Sequence, residues 1–231
     1  MTYHYVGSEL ELFSAATNWK CYFASVLAPF IGGRVLEAGA GIGSNTPYLV
    51  TDKVRAWTSL EPDPDLAARI SSGDLPRACQ VVTGTIDRLD PAAAFDTILY
   101  IDVLEHIAED AAELAAAARH LAPEGNLVVL APAHQFLFSP FDGAVGHHRR
   151  YTAASLAALT PPGCRLRTSL MLDSAGFLGS LANRFLLSAR QPSPRQIAFW
   201  DRILVPISRI VDGGTGHAFG KSVVTVWSRS A

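Results

Sequence analysis

A chain of 231 residues, 49% of them apolar, has room for one α/β domain with a small elaboration and is too apolar to be disordered. Its formal charge of −2 hides an asymmetry: from Pro161 onward nine basic residues (Arg165, Arg167, Arg184, Arg190, Arg195, Arg202, Arg209, Lys221, Arg229) face three acidic ones (Asp173, Asp201, Asp212), +6 in all, which leaves −8 for the first 160. No dense Lys/Arg run with interleaved aromatics occurs, which argues against a nucleic-acid partner. The scattered Cys21, Cys79 and Cys164 have no metal spacing and fit a reducing compartment. With no basic–apolar–small leader and no apolar run of about 18 residues, a cytoplasmic chain without a spanning helix is expected.

In chain order, residues 1–33 read as a helical segment, with one or two amphipathic helices over Glu9 to Phe30 that stop near Pro29 and Gly32-Gly33. Val35 to Ala38 is a short buried strand running into Gly39-Ala40-Gly41-Ile42-Gly43-Ser44 and a helix start. Strands follow at Ala56–Leu60, Gln80–Thr83, Phe95–Ile101 and Asn126–Ala131, the last after the turn Ala122-Pro123-Glu124-Gly125, with a strong helix over Ala111 to Ala118. Strand–helix alternation implies a parallel sheet covered on both faces. Arg165 to Leu172 is a sixth strand. Ser193-Pro194 opens a helix in which Ile197, Trp200, Leu204, Ile207 and Val211 recur at helical spacing and Pro206 makes a kink. Gly213-Gly214-Thr215-Gly216 reads as a turn and Ser222 to Ser228 as the final strand. No internal repeat, linker or low-complexity tract is seen.

Glycines open backbone angles closed to other residues, and a helix start presents free N–H groups, so the turn at residues 39–44 suits a polar, nucleotide-like ligand. A dinucleotide fold wants Gly-x-Gly-x-x-Gly; here Gly39 and Gly41 fit, but the third position is Ser44 and the extra glycine, Gly43, comes one place early. A structural turn without a ligand is the competing account.

With Glu37 inside the strand end, this pattern resembles motif I of class I S-adenosylmethionine-dependent methyltransferases, in which the acidic residue faces the cofactor. The resemblance runs in order from Val35 to Ala131. It implies that Glu37, Gly39, Ala40 and Gly41 form the cofactor turn. Glu61, followed by Pro62, would accept hydrogen bonds from both ribose hydroxyls, and Thr85, Ile86 and Asp87 would lie near the adenine. Asp102-Val103-Leu104-Glu105-His106-Ile107 is similar to the family's motif IV region and makes Asp102 a further cofactor residue. Alone, Glu61 or Asp87 reads as a helix cap or loop charge, and His106 as a satisfied core histidine; only the ordered set carries the assignment. The implied fold is a Rossmann-like, seven-stranded, mostly parallel sheet with helices on both faces and the last strand antiparallel. Within this single domain, residues 34–131 are the cofactor half and 132–231 the acceptor half, the latter with a helical lid over 194–211. The cofactor implied is S-adenosyl-L-methionine, leaving S-adenosyl-L-homocysteine.

Phe141 to Thr152 follows the fifth strand and carries Gly146-His147-His148-Arg149-Arg150-Tyr151. This Gly-His-x-Arg-Arg-Tyr run resembles a bacterial methyltransferase subgroup found with glycosyltransferases and lipid- or polysaccharide-modifying enzymes. In the family this loop reaches over the methyl group. An acceptor hydroxyl needs a base of near-neutral pKa, so His148 and His147 are the first candidates, with His106 behind. Arg149, Arg150 and Tyr151 would hold an anionic acceptor; the plainer account is that His147 or Arg149 simply ties the loop to Asp142 or the core. If Asp102, Glu105 and His106 share one helix face, they could bind a divalent cation with a loop histidine as fourth ligand. Some quinone and RNA-end methyltransferases use a similar Glu-x-x-Glu-His set; the run Asp-Val-Leu-Glu-His-Ile also occurs in metal-free relatives, and no metal is expected.

The function expected is methyl transfer to a small-molecule or lipid-linked, anionic acceptor, O-methylation favoured. The alternatives are a non-catalytic S-adenosylmethionine-binding protein of the same fold and, behind it, an NAD-dependent oxidoreductase. The amphipathic 194–211 helix suggests peripheral membrane contact; a packed core helix with solvated arginines is the other reading.

Overall fold

The computed structural model describes residues 4–5, 7, 9–71, 79–182 and 192–230. Arg184 and Arg190 of the basic region lie outside the described residues. Seven strands, β1 (Gly33–Ala38), β2 (Val54–Glu61), β3 (Cys79–Thr83), β4 (Phe95–Ile101), β5 (Leu121–Pro132), β6 (Cys164–Leu172) and β7 (Ser222–Arg229), make one sheet in the order β3-β2-β1-β4-β5-β7-β6. All neighbours pair parallel except β7, which runs antiparallel to both β5 and β6. This is the expected Rossmann-like, seven-stranded sheet.

Because side chains alternate across a strand, β4 sends Leu99 and Ile101 to one face and Ile98 and Tyr100 to the other, all nearly fully buried. The first face packs Trp19, Phe23 and Leu27 of α2 (Thr17–Leu27), which follows the short α1 (Glu9–Ser14). The second face packs Leu114 and Ala117 of α5 (Asp110–Arg119), with Leu156, Tyr151 and Trp227. Trp57 and Trp227 are fully enclosed, each stabilising the fold by a few kcal/mol in apolar area alone.

Three local expectations change, while the helix start after the glycine turn holds, at Thr46. The turn Ala122–Gly125 lies inside β5, which therefore starts at Leu121: Phe95 pairs with Leu121, and the register then jumps to Thr97 with Asn126. Glu124 takes a φ of 61°, and a Cβ on Gly125 would fall 2.9 Å from the Ala122 carbonyl oxygen, so the slack is taken up as a bulge. The helix after the glycine turn is only Thr46–Leu49, α3; it is followed by α4 (Pro64–Ser71) after β2. Gly213, Gly214 and Thr215 are helical, and the chain turns only at Gly216, whose φ of 64° ends the helix. In place of a simple proline kink, α9 (Pro194–Phe199) passes through a π-turn at Trp200–Leu204 into α10 (Val205–Thr215); the wider turn sits just before Pro206, where an N–H is missing. The Ser193 start is as read, with Ser193 and Gln196 forming a reciprocal cap.

Sheet order reverses between β1 and β4, one leading outward to β2 and β3 and the other to β5. The crevice outside the carboxyl ends of strands at such a switch point is where doubly wound sheets bind ligands. It receives the glycine turn after β1 and Asp102 after β4.

Candidate active site

The turn after β1 is built by backbone geometry. Gly39, Gly41 and Gly43 have φ of 67°, 59° and 75°, in the left-handed region that penalises other residues. Gly39 also has no room: a Cβ would lie 2.7 Å from Val103, which follows β4, so this glycine lets the two strand ends close on each other. At Gly41 the nearest atom to such a Cβ would be Leu10 of α1, at 3.6 Å, an ordinary packing distance that brings the amino-terminal helix over the turn.

Two acids brace that turn. Glu37, 2% exposed, accepts hydrogen bonds from Thr46 Oγ1 (2.6 Å) and Trp57 Nε1 (3.2 Å), tying β1 to α3 and β2. Burial pushes its carboxyl up to about 7, although the Thr46, Trp57 and Ser59 hydrogen bonds pull the other way; it is therefore part of the wall below the turn. Glu61, at the end of β2, accepts the Gly41 N–H at 2.7 Å and the Asp63 N–H at 2.9 Å. Burial raises its pKa against those two backbone donors. Its two oxygens offer about four lone-pair sites, of which the two backbone donors use two. Pro62 is half-buried beside it. Past β3, the Thr85 hydroxyl donates to Asp87, whose pKa it lowers, while Ile86 is buried.

Asp102 stands at φ 54°, just beyond β4. Solvent reaches its side chain, yet protein atoms ring it, and that enclosure pushes its carboxyl up to about 6 against the pull of His147, Lys221 and Arg150. The next residues form a single 3₁₀ turn, Leu104–His106, and not an α-helix. This removes the basis for a shared face of Asp102, Glu105 and His106. The side chains whose ligand atoms converge, within 4.8 Å of one another, are Glu105, His106 and His147; Asp102 is not among them.

The Gly-His-His-Arg-Arg-Tyr loop is organised by one residue that charge counting passed over. Asp142, fully buried at the start of α6 (Pro140–Ala144), accepts from the Ser139 backbone and hydroxyl, from His147 Nδ1 at 3.0 Å, and from Arg150 Nε (2.8 Å) and Nη2 (3.0 Å) in a two-pronged pair. Burial alone would raise its pKa, but the His147 and Arg150 bonds outweigh it and hold the carboxyl well below the usual range. A carboxylate only accepts, so His147 carries a proton on Nδ1, and the neutral ring has its lone pair on Nε2.

That Nε2 lies 3.9 Å from Glu105 Oε1, and the ring stands edge-on to His106 with centroids 4.5 Å apart. Both Glu105 oxygens are buried without a hydrogen-bond partner among the described residues, and burial raises this carboxyl well above the usual range, so Glu105 holds its proton. Burial and the neighbouring His147 and His148 depress His106 to about 4, against the Val145 carbonyl to which its ring donates. His106 is thus neutral near pH 7 and a weak base.

Of the other loop residues, His148 is exposed, and its backbone N–H donates to the Glu105 carbonyl at 2.8 Å. Arg149 pairs with Asp110 at 2.6 Å and donates to the Ala108 carbonyl; the Tyr151 hydroxyl donates to the same Asp110 at 2.8 Å. Arg150 is committed to Asp142. Arg149, Arg150 and Tyr151 thus each bond to the body of the protein. Thr152 caps the helix that follows, α7 (Ala153–Ala157), as its residue type suggests.

The family model for a methyltransferase domain matches residues 20–167. The chain belongs to that family. No curated protein sequence matches it. Among solved structures, an S-adenosylmethionine-dependent methyltransferase from Mesorhizobium loti is 15% identical over 94% of this chain and 100% of its own, with a TM-score of 0.62. Coclaurine N-methyltransferase, solved with N-methylheliamine and SAH, is 13% identical over 93% and 73%, with a TM-score of 0.62. The [4+2]-cyclase SpnF is 17% identical over 98% and 95%, with a TM-score of 0.61. These neighbours share the fold, which alone does not set a reaction. Family and fold together make this protein a class I S-adenosylmethionine-dependent methyltransferase. Among the described residues no helix is long and apolar enough to cross a membrane.

Proposed function

We propose that the protein methylates a hydroxyl of a small-molecule or lipid-linked acceptor, with His147 as the base. The supporting observation is the Asp142–His147 pair: a buried carboxylate fixes the ring and its tautomer and leaves Nε2 to take a proton. When bound, S-adenosylmethionine supplies an electrophilic methyl group. Glu61 holds the ribose, Gly39 to Gly41 let the cofactor approach the main chain, Thr85 to Asp87 border the adenine, and Asp102 sits where the amino-acid portion would end. The acceptor oxygen gives its proton to His147 Nε2 as it reaches the methyl carbon in line, starting from about 3–3.5 Å. The Asp142 charge stabilises the imidazolium formed, and the neutral Glu105 beside it adds no competing demand for the proton. Arg149, Arg150 and Tyr151 keep the loop in place.

The test uses methyl-labelled S-adenosylmethionine with hydroxylated small molecules and with polyprenyl- or acyl-linked acceptors, and locates the label by mass spectrometry. Label on oxygen supports the reading, together with a strong loss of turnover in His147→Ala. Label on nitrogen or carbon, or turnover unchanged in His147→Ala, refutes it.

A further inference from the structure

The α9–α10 helix is amphipathic twice over. Its inner face is already satisfied. Ile197, Trp200 and Val205 lie in the core beside α2, and the helix is locked there by Asp201, which accepts the Trp19 N–H at 2.9 Å, and Asp212, which accepts the Tyr22 hydroxyl at 2.7 Å. The outer face nevertheless carries a second apolar row. Phe199, Ile203, Ile207 and Ile210 are spaced by four, four and three residues, and they are 57%, 49%, 46% and 78% exposed. Such spacing puts them on one side of the helix. α8 (Ser174–Ala182), which packs against α10, carries a further exposed apolar residue, Leu178, 59% exposed. Scattered exposed apolar residues need no explanation, but a continuous row does.

The charge around this row has one sign. Arg202 and Arg209 each precede a member of it by one residue, and Arg195 stands one turn before Phe199; all three are exposed and form no ion pair among the described residues. Every acid from Pro161 onward is spent inside: Asp201 on α2, Asp212 on Tyr22 and the start of α8, and Asp173 on Trp200, Ser208 and Lys221. Arg195, Arg202 and Arg209 therefore face outward with no acid from this region beside them among the described residues. The helix also reaches the site. α9 packs on α1, whose Leu10 overhangs Gly41, and Phe13 of α1 has its ring 6.5 Å from that of Phe141 and 6.1 Å from that of Trp200.

We infer that this outer face docks on an anionic lipid surface, lying in the interface with the isoleucine row inserted and the arginines at the headgroups, and so brings the mouth of the site to the bilayer. The inference stands apart from the choice of acceptor atom.

The whole chain is tested by flotation with phosphatidylcholine vesicles and with vesicles containing about a third phosphatidylglycerol, at low and high salt. Arg195→Gln/Arg202→Gln/Arg209→Gln and Ile203→Ser/Ile207→Ser/Ile210→Ser variants run alongside, with melting curves to check folding. Binding to anionic vesicles only, weakened by salt, is expected, with a loss on the order of a hundredfold in the arginine variant and comparable loss in the isoleucine variant. Should the triple isoleucine variant misfold, Ile210→Ser alone serves, as the most exposed member. Failure of the wild type to float with anionic vesicles overturns the inference, as does equal binding by a folded variant. A dimer in light scattering that the isoleucine changes dissociate, without vesicle binding, assigns the row to a second copy and overturns it too.

Discussion

Glu37 and Asp142 are both buried carboxylates, one in each half of the molecule, and their surroundings push them in opposite directions. Glu37, in the cofactor half, meets neutral donors from Thr46, Trp57 and Ser59, and burial wins: its pKa climbs to about 7. Asp142, in the acceptor half, meets an arginine fork and an imidazole, and its pKa falls. Burial sets the cost in both cases, and the charge of the partner decides whether the acid answers by keeping a proton or by holding a counter-ion. Glu37 thus accepts from neutral side chains beneath the glycine turn, whereas Asp142 is spent on cationic and imidazole partners. Only the latter arrangement fixes a histidine tautomer.

The largest effect that would break this comparison is on turnover. His147→Ala is expected to lower kcat by roughly 10²–10⁴-fold, with S-adenosylmethionine affinity unchanged by calorimetry. His148→Ala should change kcat little, because its ring is exposed; a reversed ranking would move the base out to the surface. Next comes stability. Asp142→Asn leaves Arg150 buried opposite a neutral amide and is expected to destabilise the fold by roughly 3–5 kcal/mol in chemical denaturation at neutral pH. The sign with pH follows from the lowered pKa. Asp142 stabilises fully above the unfolded carboxyl range of about 3.9, and that contribution is lost as pH falls towards its folded value, so wild type and variant should converge in acid. A gap that widens in acid would contradict the assignment.

How far the sequence foretold these two halves differs in the same way. The cofactor half was legible because its signals are local: Phe95–Ile101 was read to the residue, and the glycine triplet with Glu61 about 20 positions on is a pattern along one βαβ unit. Where reading failed there, at Ala122–Gly125, the residues were right for a turn, and only the sheet could show that the turn is a bulge inside β5. The acceptor half is held by pairs far apart in sequence, such as Asp201 with Trp19 and Asp212 with Tyr22, which leave no periodicity to find. The three acids of the carboxyl-terminal region were counted as charge and are in fact interior; one available signal was that Asp201 and Asp212 fall eleven residues apart, which places them on the same side of the helix as its buried positions. Likewise the motif IV run suggested a helix face, but a positive φ at Asp102 and a single 3₁₀ turn broke it, and His147 arrived from a distant loop to meet Glu105 and His106.

A third measurement sharpens the cofactor side. Glu61→Ala removes the acceptor of the Gly41 and Asp63 N–H groups as well as the partner proposed for the ribose, charge-assisted bonds each worth roughly 1.5–3 kcal/mol. S-adenosylmethionine and S-adenosylhomocysteine affinity should fall together by one to two orders of magnitude, since both carry the same ribose. Affinity within about twofold of wild type would leave Glu61 a purely structural brace.

The smallest expected effect tests the buried acid of the cofactor half. Because the folded pKa of Glu37, about 7, lies above the unfolded value, the folded state keeps a proton that the unfolded chain has already released between about pH 4.5 and 7. Stability must therefore fall as pH rises through that window, by an upper bound of roughly 3 kcal/mol, and the penalty is complete above pH 7. Below about pH 4.5 both states are protonated and the effect vanishes. Glu37→Gln keeps a carbonyl oxygen to accept from Thr46 and Trp57 and carries no charge. Relative to wild type, the variant should gain stability from about pH 5 to pH 7 and level off above, opposite in sign to the pH response of Asp142→Asn. Denaturation midpoints of wild type and Glu37→Gln that run parallel across this range would show that Glu37 titrates in the folded protein as it does in water, and that the wall beneath the glycine turn is wetter than its packing implies.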